Sequence, residues 1–393
     1  MTVGVLGGYK EFISTKGDIM LNRSVSRRRF LASSVAAIGA ASLARFGSSL
    51  SLAADVASPA RKLGFAFVGI GNFATHELLP GIANCKYCEP VALVSGHLDN
   101  AKRVAAKYKI DPKFIYNYDN YDSIRDNPAI DVVYIVLPNG MHAEYTVRAF
   151  AAGKHVMCEK PMANTVAECQ QMIDAGKGAG KKLQIGYRMH WDAATLACID
   201  ALRKNEIGKL EIIETATGFS IGDPKQWRLN RKLAGGGCMM DIGIYSLSAA
   251  RYLSGEEPTE VFANTYQDTS DPRFKEVEQH CDFQLKFPSG VQASCLSSYA
   301  TPLNRYVVHG SKGYCVLEPG QAYHGIKFSK TEKGVLKPVD VVGVDQFVGE
   351  MDGFALALAG KAPFMATGEE GLQDMRIIEA IYASARSGAS VKL

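Results

Sequence analysis

The sequence predicts an α/β protein of two domains, the first built on a parallel sheet with helices and the second on an open, mainly antiparallel sheet. Two observations predict this. From residue 63 to about 185, short apolar runs alternate with helical patterns, which is typical of βαβ units. After about residue 190, longer runs alternate polar and apolar residues and follow one another closely, as strands with one covered face do.

Five apolar runs of the first domain, residues 55–185, are predicted strands: "GFAFVGIG", "EPVALVSG", "DVVYIVLPN", "KHVMCEKP" and "KLQIGYR". Between them, helical spacing of apolar residues predicts helices over Ala101–Tyr108, Ala143–Ala152 and Val166–Ala179. Such units form a sheet with helices on both faces.

The second domain, residues 186–393, contains the alternating runs "EIIETATGFSI", "EVFANTYQD", "HCDFQLKFPSG", "VQASCLSSYA" and "RYVVHGSKGYCVLEP". These are the predicted strands of the antiparallel sheet. The end of the chain, "GEEGLQDMRIIEAIYASARSGASVKL", has the pattern of an amphipathic helix and is expected to pack back on the body.

The first 54 residues have the pattern of a twin-arginine signal peptide. "SRRRFLASSVAAIGAASLARFGSSLSLAA" places arginines before a weakly apolar stretch of small residues, which predicts export of the folded protein to the periplasm and no stable membrane span. An uncleaved anchor or amphipathic helix is the alternative. Met20 offers a second start, which would make residues 1–19 an over-extended start.

Charge and cysteine content narrow the function classes. The net charge of the chain is +4; residues 1–54 carry seven basic and two acidic side chains, which leaves −1 for the remainder. A near-neutral body gives no support for nucleic-acid binding. Cys85 and Cys88 have half of a zinc-site spacing, but no second Cys or His pair follows at ligand spacing, so no metal is expected. The nine cysteines are expected to be mostly free and buried.

A dinucleotide fingerprint follows the first predicted strand. Gly69, Ile70, Gly71, Asn72, Phe73 and Ala74 form G-x-G-x-x-A before a predicted helix. The glycines allow a tight turn and a close approach to a pyrophosphate, whose charge the helix N-terminus stabilises. The motif therefore predicts a Rossmann domain that binds a nicotinamide dinucleotide.

The end of the second predicted strand favours NADP over NAD. An acidic side chain that binds the ribose hydroxyls is expected there, but the chain has Ser95, Gly96 and His97, followed by Lys102 and Arg103. Serine leaves room for a 2′-phosphate. The alternative is that Asp99 reaches back to the ribose and the cofactor is NAD.

Two further strand ends are candidates for the cofactor cleft. Leu137, Pro138 and Asn139, with His142, follow the third strand, where they are predicted to lie near the nicotinamide ribose; His142 could equally be a solvated residue at a helix start. Glu159 and Lys160 follow the fourth strand, and Pro161 restricts Lys160 to an extended conformation. Lys160 is the predicted source of a fixed ammonium group, and a surface ion pair with Glu159 is the alternative.

A second constellation, "LAGGGCMMDIGIYSLSAARYL", contains Asp241 and Tyr245 four residues apart on one predicted helix face. With Lys160 arriving from the first domain, these side chains would form a proton-transfer site, because an ammonium group favours the phenolate of a tyrosine. The alternative is that Tyr245 packs in the core and Asp241 caps the helix.

The chain resembles the glucose–fructose oxidoreductase family, within the group that includes inositol dehydrogenases. The resemblance covers nearly all of residues 63–390 and is carried by the leader and by "VGIGNFA", "ALVSG", "LPNGMHAEY", "AGKHVMCEKPM", "IGYRMHWD", "QWRLNRKLAGGGCMMDIGIYSL" and "GEEGLQD". It implies NADP(H), catalysis by Lys160 and Tyr245 with help from Asp241, and oligomer contacts through the second sheet. It also implies that Arg188, Trp227, Arg228 and Tyr323 line the cofactor or substrate pocket.

Two departures from that family change the expectations. The glucose–fructose enzymes carry a proline-rich arm before the first strand and a longer C-terminal tail, whereas only "ADVASPARKL" stands here, so a homodimer is favoured over a tetramer. A basic residue expected near the 2′-phosphate is Asn100 here, so His97, Lys102 or Arg103 is predicted to take that role.

The leader and the resemblance together imply a periplasmic sugar oxidoreductase with tightly bound NADP(H). Tyr245 would remove the C1 hydroxyl proton of an aldose, Lys160 would stabilise the alkoxide, and a second sugar, an aldose or fructose, would reoxidise the cofactor. Lys160, Arg188, Asp241 and Tyr245 are the predicted substrate contacts. The alternatives are an aldose dehydrogenase that exchanges free NADP and a sugar-binding module without catalysis.

Overall fold

The structure is a computed structural model that describes residues 61–393. The predicted signal peptide, residues 1–54, lies outside the described residues. The described residues belong to one compact unit, and their strands make two sheets. Of the helices in the described part of the chain, none is both long and apolar enough to cross a membrane.

The first sheet has six strands in the order β3-β2-β1-β4-β5-β6, and every neighbouring pair is parallel. Its strands are β1 (Leu63–Val68), β2 (Cys88–Val94), β3 (Ile115–Tyr116), β4 (Val132–Ile135), β5 (His155–Cys158) and β6 (Leu183–Ile185). The sequence predicts all of these except β3, which has only two residues. The order reverses between β1 and β4, and ligands bind at such switch points beyond the carboxyl ends of the strands.

Four α-helices accompany this sheet: α1 (Leu79–Ala83), α2 (Leu98–Tyr108), α3 (His142–Ala151) and α4 (Val166–Gly178). A π-helical turn, Ala74–Leu78, leads from the glycine loop into α1. The observed α2, α3 and α4 confirm the three helices that the sequence predicts, with ends that differ by a few residues.

The second sheet has nine strands in the order β14-β13-β12-β11-β7-β10-β9-β8-β15. Only β7 and β10 pair in parallel, so the predicted mainly antiparallel sheet is confirmed. The strands are β7 (Leu210–Gly218), β8 (Glu260–Tyr266), β9 (His280–Lys286), β10 (Gln292–Ser298), β11 (Leu303–Gly310), β12 (Gly313–Leu317), β13 (Phe328–Glu332), β14 (Val335–Val339) and β15 (Val391–Lys392).

In the described part of the chain, five further α-helices follow: α5 (Ala193–Arg203), α6 (Arg231–Ala234), α7 (Ile244–Ser254), α8 (Gln346–Leu358) and α9 (Gly368–Ser387). The terminal helix α9 packs back on β8 and α4, as the sequence predicts. Helix α8 belongs to the core of the first sheet, because Phe347, Met351 and Phe354 pack with apolar residues of β1, β2 and α1. The prediction that residues 186–393 form one domain therefore did not anticipate that α8 packs on the first sheet.

All nine cysteines lie among the described residues, and each is free and buried. Cys85, Cys88 and Asp352 bring ligand atoms within 4.8 Å of one another. Both oxygens of Asp352, however, accept backbone N–H groups of Lys86 and Tyr87 at 2.9 Å. The carboxylate thus fixes the loop between the two cysteines to helix α8.

Candidate active site

The carboxyl ends of β1, β2, β4 and β5 open onto one cavity of about 970 Å³. That volume is within the range of small-molecule sites in proteins. The cavity extends from the glycine loop to Tyr245 and is lined by residues of both domains. The predicted residues that line it are Gly69, Ile70, Gly71, Asn72, Phe73, Ala74, Ser95, His97, Leu137, Pro138, Asn139, Glu159, Lys160, Trp227, Arg228, Asp241, Tyr245 and Tyr323.

The glycine loop has the shape that a pyrophosphate requires. Gly69 has a φ of +94°, and a Cβ atom there would lie 2.4 Å from the carbonyl oxygen of Val136. A Cβ atom on Gly71, which lines the cavity, would meet nothing within 4 Å. The loop thus packs tightly on one side and is open on the cavity side, which fits a dinucleotide.

The residues predicted to bind the 2′-phosphate, which follow β2, differ in whether they face a cavity. Ser95 is buried and its hydroxyl accepts the backbone N–H of His97 at 3.0 Å. Arg103 lines a second cavity of about 550 Å³, which shares Ile70, Gly71, Asn72 and His97 with the first. Lys102 lines neither cavity, and its ammonium group lies 3.8 Å from the exposed carboxylate of Asp99. Gly96 packs against the ring of Tyr118.

The end of β4 places Asn139 at the junction of the two sheets, where its amide donates to the carbonyl of Ala234 at 2.9 Å. The predicted cofactor contact of His142 is wrong. Its ring is fully buried, with Nδ1 2.9 Å from the carbonyl oxygen of Pro161 and Nε2 2.8 Å from that of Leu137. His142 instead ties together the two chain segments that follow β4 and β5.

The end of β5 brings Lys160 to the helix that carries Asp241 and Tyr245. Its Nζ donates to the backbone carbonyl of Asp241 at 2.6 Å, lies 3.4 Å from Oδ1 of the same residue, and lies 4.8 Å from the ring centre of Tyr245. The peptide bond between Lys160 and Pro161 is cis. The two motifs, distant in sequence, therefore meet at one point of the cavity wall.

Asp241 is surrounded by donors. Arg228 Nε donates to its Oδ2 at 3.0 Å, and the hydroxyl of Tyr299 donates to the same oxygen at 2.9 Å. Burial alone would raise the pKa of Asp241, but the charges of Arg228 and Lys160 and the hydrogen bond from Tyr299 lower it to about 2. Asp241 is therefore an anion that orients cations, which differs from a group that exchanges protons.

The glycine-rich loop before α7 is shaped by Glu278. A Cβ atom on Gly237 would lie 2.1 Å from the carbonyl oxygen of Glu278, so the two backbones can approach only at a glycine. The carboxylate of Glu278 accepts the N–H groups of Gly237 at 2.9 Å and Met239 at 3.0 Å. A π-helical turn, Met239–Gly243, then carries Asp241 into α7, and such turns are frequent at functional sites.

Arg188 does not line the cavity, so its predicted direct contact with substrate or cofactor is wrong. It is 1% exposed and lies behind Tyr245 and Tyr323, with its guanidinium 4.8 and 4.9 Å from their ring centres. Its Nε donates to the hydroxyl oxygen of Tyr245 at 3.1 Å. Further bonds to Gln321, Ala322 and Gln346 hold it in place.

Tyr323 joins the second domain to the glycine loop. Its ring centre lies 5.4 Å from that of Phe73 and 5.8 Å from that of Phe347. The next residue, His324, places its ring nitrogens 3.1 Å from Glu77 and 3.4 Å from Asp345. This segment therefore packs on the end of the glycine loop and on the π-helical turn that follows it.

The sequence gives no signal for several residues that complete the site. Tyr299 and Glu278 act on the motif residues from strands or loops that carry no motif of their own. The cavity is also lined by side chains that the sequence does not single out, namely Tyr118, Phe219, Gln226, Ile242, Asn304 and Gln321.

Replacing Asp241 by Asn should change the acid stability of the protein. A carboxylate whose folded pKa is below its unfolded value stabilises the fold above the unfolded pKa, and this contribution is lost as pH falls through the folded pKa. A shift from 3.8 to about 2 corresponds to about 2 kcal/mol. Urea unfolding should therefore show a constant difference between the wild type and Asp241→Asn above about pH 5 that narrows toward pH 2. A difference that stays constant over this range would contradict the assignment.

Two family models match the chain. The model described as an oxidoreductase family with an NAD-binding Rossmann fold, GFO_IDH_MocA, matches residues 63–187. The model of the GFO/IDH/MocA C-terminal domain matches residues 196–316. Together they cover both sheets up to β12.

One solved structure and several named proteins are similar over most of the chain. An aldose–aldose oxidoreductase from Caulobacter crescentus, solved as a complex with glycerol, is 48% identical, with a TM-score of 0.83, and the alignment covers 85% of this chain and 100% of that one. An NADP⁺ D-xylose 1-dehydrogenase from Haloarcula marismortui is 30% identical over 84% of this chain and 92% of its own length. A second NADP⁺ D-xylose 1-dehydrogenase, from Haloferax volcanii, is 29% identical over 84% and 99%. The chain belongs to the GFO/IDH/MocA family of oxidoreductases.

Proposed function

We propose that the protein is an NADP(H)-dependent sugar oxidoreductase that oxidises an aldose at C1 to an aldonolactone and reduces a second sugar to an alditol. The observation that carries this proposal is the meeting of Lys160 and Tyr245 in the cavity that begins at the glycine loop. The aldose–aldose oxidoreductase that is 48% identical supports the substrate class. The polar lining groups, which include Asn304 and Gln321, suit a ligand rich in hydroxyl groups.

The bound nicotinamide would accept the hydride from C1 and later deliver it to the second sugar. Tyr245 is the group that removes the C1 hydroxyl proton and returns a proton in the second half-reaction. Arg188 donates to the oxygen of Tyr245 at 3.1 Å, which leaves another lone pair of the phenolate free to accept the C1 hydroxyl proton. The phenol formed in this way carries the proton that the second sugar receives in the next half-reaction. Lys160 stabilises the alkoxide that develops as the proton leaves.

NADP is the proposed cofactor because no carboxylate of the described residues lines the cavity at the end of β2. Ser95 and His97 stand there, with Arg103 in the adjoining cavity. Asp99, the residue that could bind the ribose of NAD, is exposed and paired with Lys102. The NADP⁺ D-xylose dehydrogenases among the relatives support this choice.

Arg103→Ala should therefore weaken NADP binding about tenfold or more and leave NAD binding nearly unchanged, because a charged hydrogen bond to the 2′-phosphate is lost. Titration calorimetry with both nucleotides on the nucleotide-free protein measures this. Lys102→Ala, one residue away and outside both cavities, is the matched control. Equal weakening of both nucleotides, or a larger effect of the control, would contradict the role of Arg103.

We further propose that the cofactor stays bound through a ping-pong cycle. The segment with Tyr323 and His324, which contacts Phe73, Glu77 and Asp345, covers the glycine loop and supports slow release. A folded protein exported to a periplasm without free NADP would have to carry its cofactor. The experiment is to purify the protein, identify bound nucleotide by mass spectrometry, and follow its reduction by one aldose alone.

Stoichiometric reduction of the retained cofactor, followed by formation of an alditol without added nucleotide, is the expected result.

A second candidate function is that of an aldose dehydrogenase that exchanges free NADP. It is favoured by Tyr323, whose side chain is 43% exposed, and by the xylose dehydrogenase relatives. Protein that is isolated without nucleotide and turns over only with added NADP would establish that candidate. If the protein reacted with no aldose, the remaining interpretation would be a sugar-binding module without catalysis.

The protein is also proposed to act in the periplasm as a homodimer. The twin-arginine leader supports export, which fractionation of cells and N-terminal sequencing of the mature protein would test. The outer face of the second sheet exposes Ile212, Phe262 and Leu296, apolar side chains on neighbouring or nearby strands, and such a face supports association. Light scattering of Leu296→Lys against the wild type would test the interface, and a wild-type monomer would refute it.

A further inference from the structure

Two buried carboxyl groups lie together directly behind Lys160. Glu159, at the end of β5, is 9% exposed, and Glu350, on α8, is 1% exposed. Both contact the hydroxyl group of Tyr134 on β4, whose oxygen lies 2.8 Å from Oε1 of Glu159 and 3.2 Å from Oε2 of Glu350. The mechanism described above uses neither Glu350 nor Tyr134.

The number of hydrogens available for hydrogen bonding indicates which of these groups is protonated. A phenol carries one hydrogen, so Tyr134 can donate to only one of the two carboxyl groups. If both were ionised, the second contact would place two electron-rich oxygens together in a buried site, and the other oxygen of Glu350, Oε1, has no hydrogen-bond partner. A protonated Glu350 resolves the conflict, because its hydroxyl donates to Tyr134 and Tyr134 donates to Glu159.

The surrounding charges decide which group is ionised. The backbone N–H of Lys160 donates to Oε2 of Glu159 at 3.2 Å. Burial raises the pKa of Glu159 above its usual value, and the charge of Lys160, the hydrogen bond from Tyr134 and the charge of Arg188 offset only part of this rise. Burial and the charge of Glu159 raise the pKa of Glu350 well above its usual value, with only Tyr134 and Arg188 acting against them.

The other polar neighbours do not change this assignment. On β6, the side-chain amide of Gln184 donates to the backbone carbonyl of Glu350 at 3.2 Å, which leaves its carboxyl group untouched. From the second domain, Tyr323 has its pKa raised mainly by burial, and the charge of Glu159 adds a small part of that rise. Gly186 packs closely on Glu159: a Cβ atom there would lie 2.7 Å from Oε1, so a side chain at this position would displace the carboxylate from Tyr134.

We propose that Glu350 acts as a neutral carboxylic acid that, through Tyr134, keeps Glu159 ionised and so fixes the backbone of Lys160 at the cavity. Glu350 and Tyr134 are positioning residues, and this role rests on the proposed function of Lys160. When Glu350 ionises at alkaline pH, two carboxylates compete for the one hydrogen of Tyr134. The bond to Glu159 then weakens, and Lys160 is held less firmly.

Infrared spectroscopy tests the protonation without any turnover. The wild-type protein at neutral pH should show the carbonyl band of a protonated, buried carboxylic acid, and this band should disappear as pH rises. Glu350→Gln should lack the band, whereas Glu89→Gln, the same change at an exposed position, should retain it. A wild-type spectrum without a protonated carboxyl band at neutral pH would overturn the proposal, whatever the substrate of the enzyme proves to be.

The pH dependence of kcat/KM tests the link to Lys160. Glu350→Gln keeps a donor to Tyr134 and cannot ionise, so its alkaline loss of activity should begin about one pH unit higher than in the wild type. Tyr134→Phe removes the donor to Glu159 and should lower kcat/KM about tenfold at neutral pH, as the loss of a hydrogen bond to a charged group does. Alkaline limbs that coincide in the wild type and Glu350→Gln would overturn the positioning role, even with the infrared band in place.

Discussion

Replacing Tyr245 by Phe should lower the rate at which an aldose reduces the bound cofactor about 10³-fold, because the substrate hydroxyl loses its general base. The change keeps the aromatic ring, which packs between the ammonium of Lys160 and the guanidinium of Arg188 at 4.8 Å from each. It removes only the oxygen that accepts the bond from Arg188 Nε. The fold and nucleotide binding should therefore survive while the chemical step does not.

Stopped-flow absorbance of the reduced nicotinamide in a single half-reaction measures this rate directly, without contributions from product release. Tyr266→Phe, the same change at a side chain that is 57% exposed, is the matched control and should react like the wild type. An unchanged rate in Tyr245→Phe would remove Tyr245 from the mechanism. It would also revive the interpretation of the protein as a sugar-binding module that has kept the fold.

The first sheet could be predicted almost completely because its strands are buried on both faces. Runs such as "DVVYIVLPN" are apolar throughout, and tertiary contacts do not reverse so strong a preference. Strands β13 and β14 were beyond prediction for the opposite reason. β14 is an edge strand of the second sheet and β13 is next to it. β14 is mostly exposed and contains Lys337 and Pro338, residues typical of edge strands.

The residues of the candidate site also differ in how far they could be predicted from the sequence. Lys160, Asp241 and Tyr245 stand in local motifs, and the structure brings them together as the sequence predicts. Arg188 and His142 carry equally suggestive side chains, but whether a side chain faces a cavity or the core depends on residues far away in the chain. The bonds of Arg188 to Gln321 and Gln346, which fix it behind Tyr245, have no local signature.

The buried pair of Glu159 and Glu350 could be predicted from the sequence only in part. Glu159 could be placed from its motif, but its partner Glu350 is 191 positions away on a helix assigned to the other domain. Helix α8 packs on the first sheet because of Phe347, Met351 and Phe354, and that packing also delivers Glu350 to Tyr134. Helix α8, which follows the second domain in sequence but packs on the first sheet, thus connects the core of that sheet to Lys160.

Replacing Lys160 by Met should lower kcat about 10²–10³-fold with a smaller change in KM, because the ammonium group acts mainly on charge that develops in the transition state. Methionine retains much of the apolar stem of the side chain. Asp241 would lose one cation but would still accept hydrogen bonds from Arg228 and Tyr299. The carboxylate should therefore stay in place, and the effect should arise from the missing ammonium alone.

Steady-state kinetics, combined with the dissociation constant of NADP, separates this role from a structural one. Lys160→Arg returns a cation, though on a larger planar group, and should recover part of kcat; Lys113→Met, at an exposed lysine, should leave both kcat and KM unchanged. A loss confined to KM would mean that Lys160 only binds the sugar. Full activity in Lys160→Met would require another donor for the alkoxide, and Arg228, which lines the same cavity, would then be the next residue to replace.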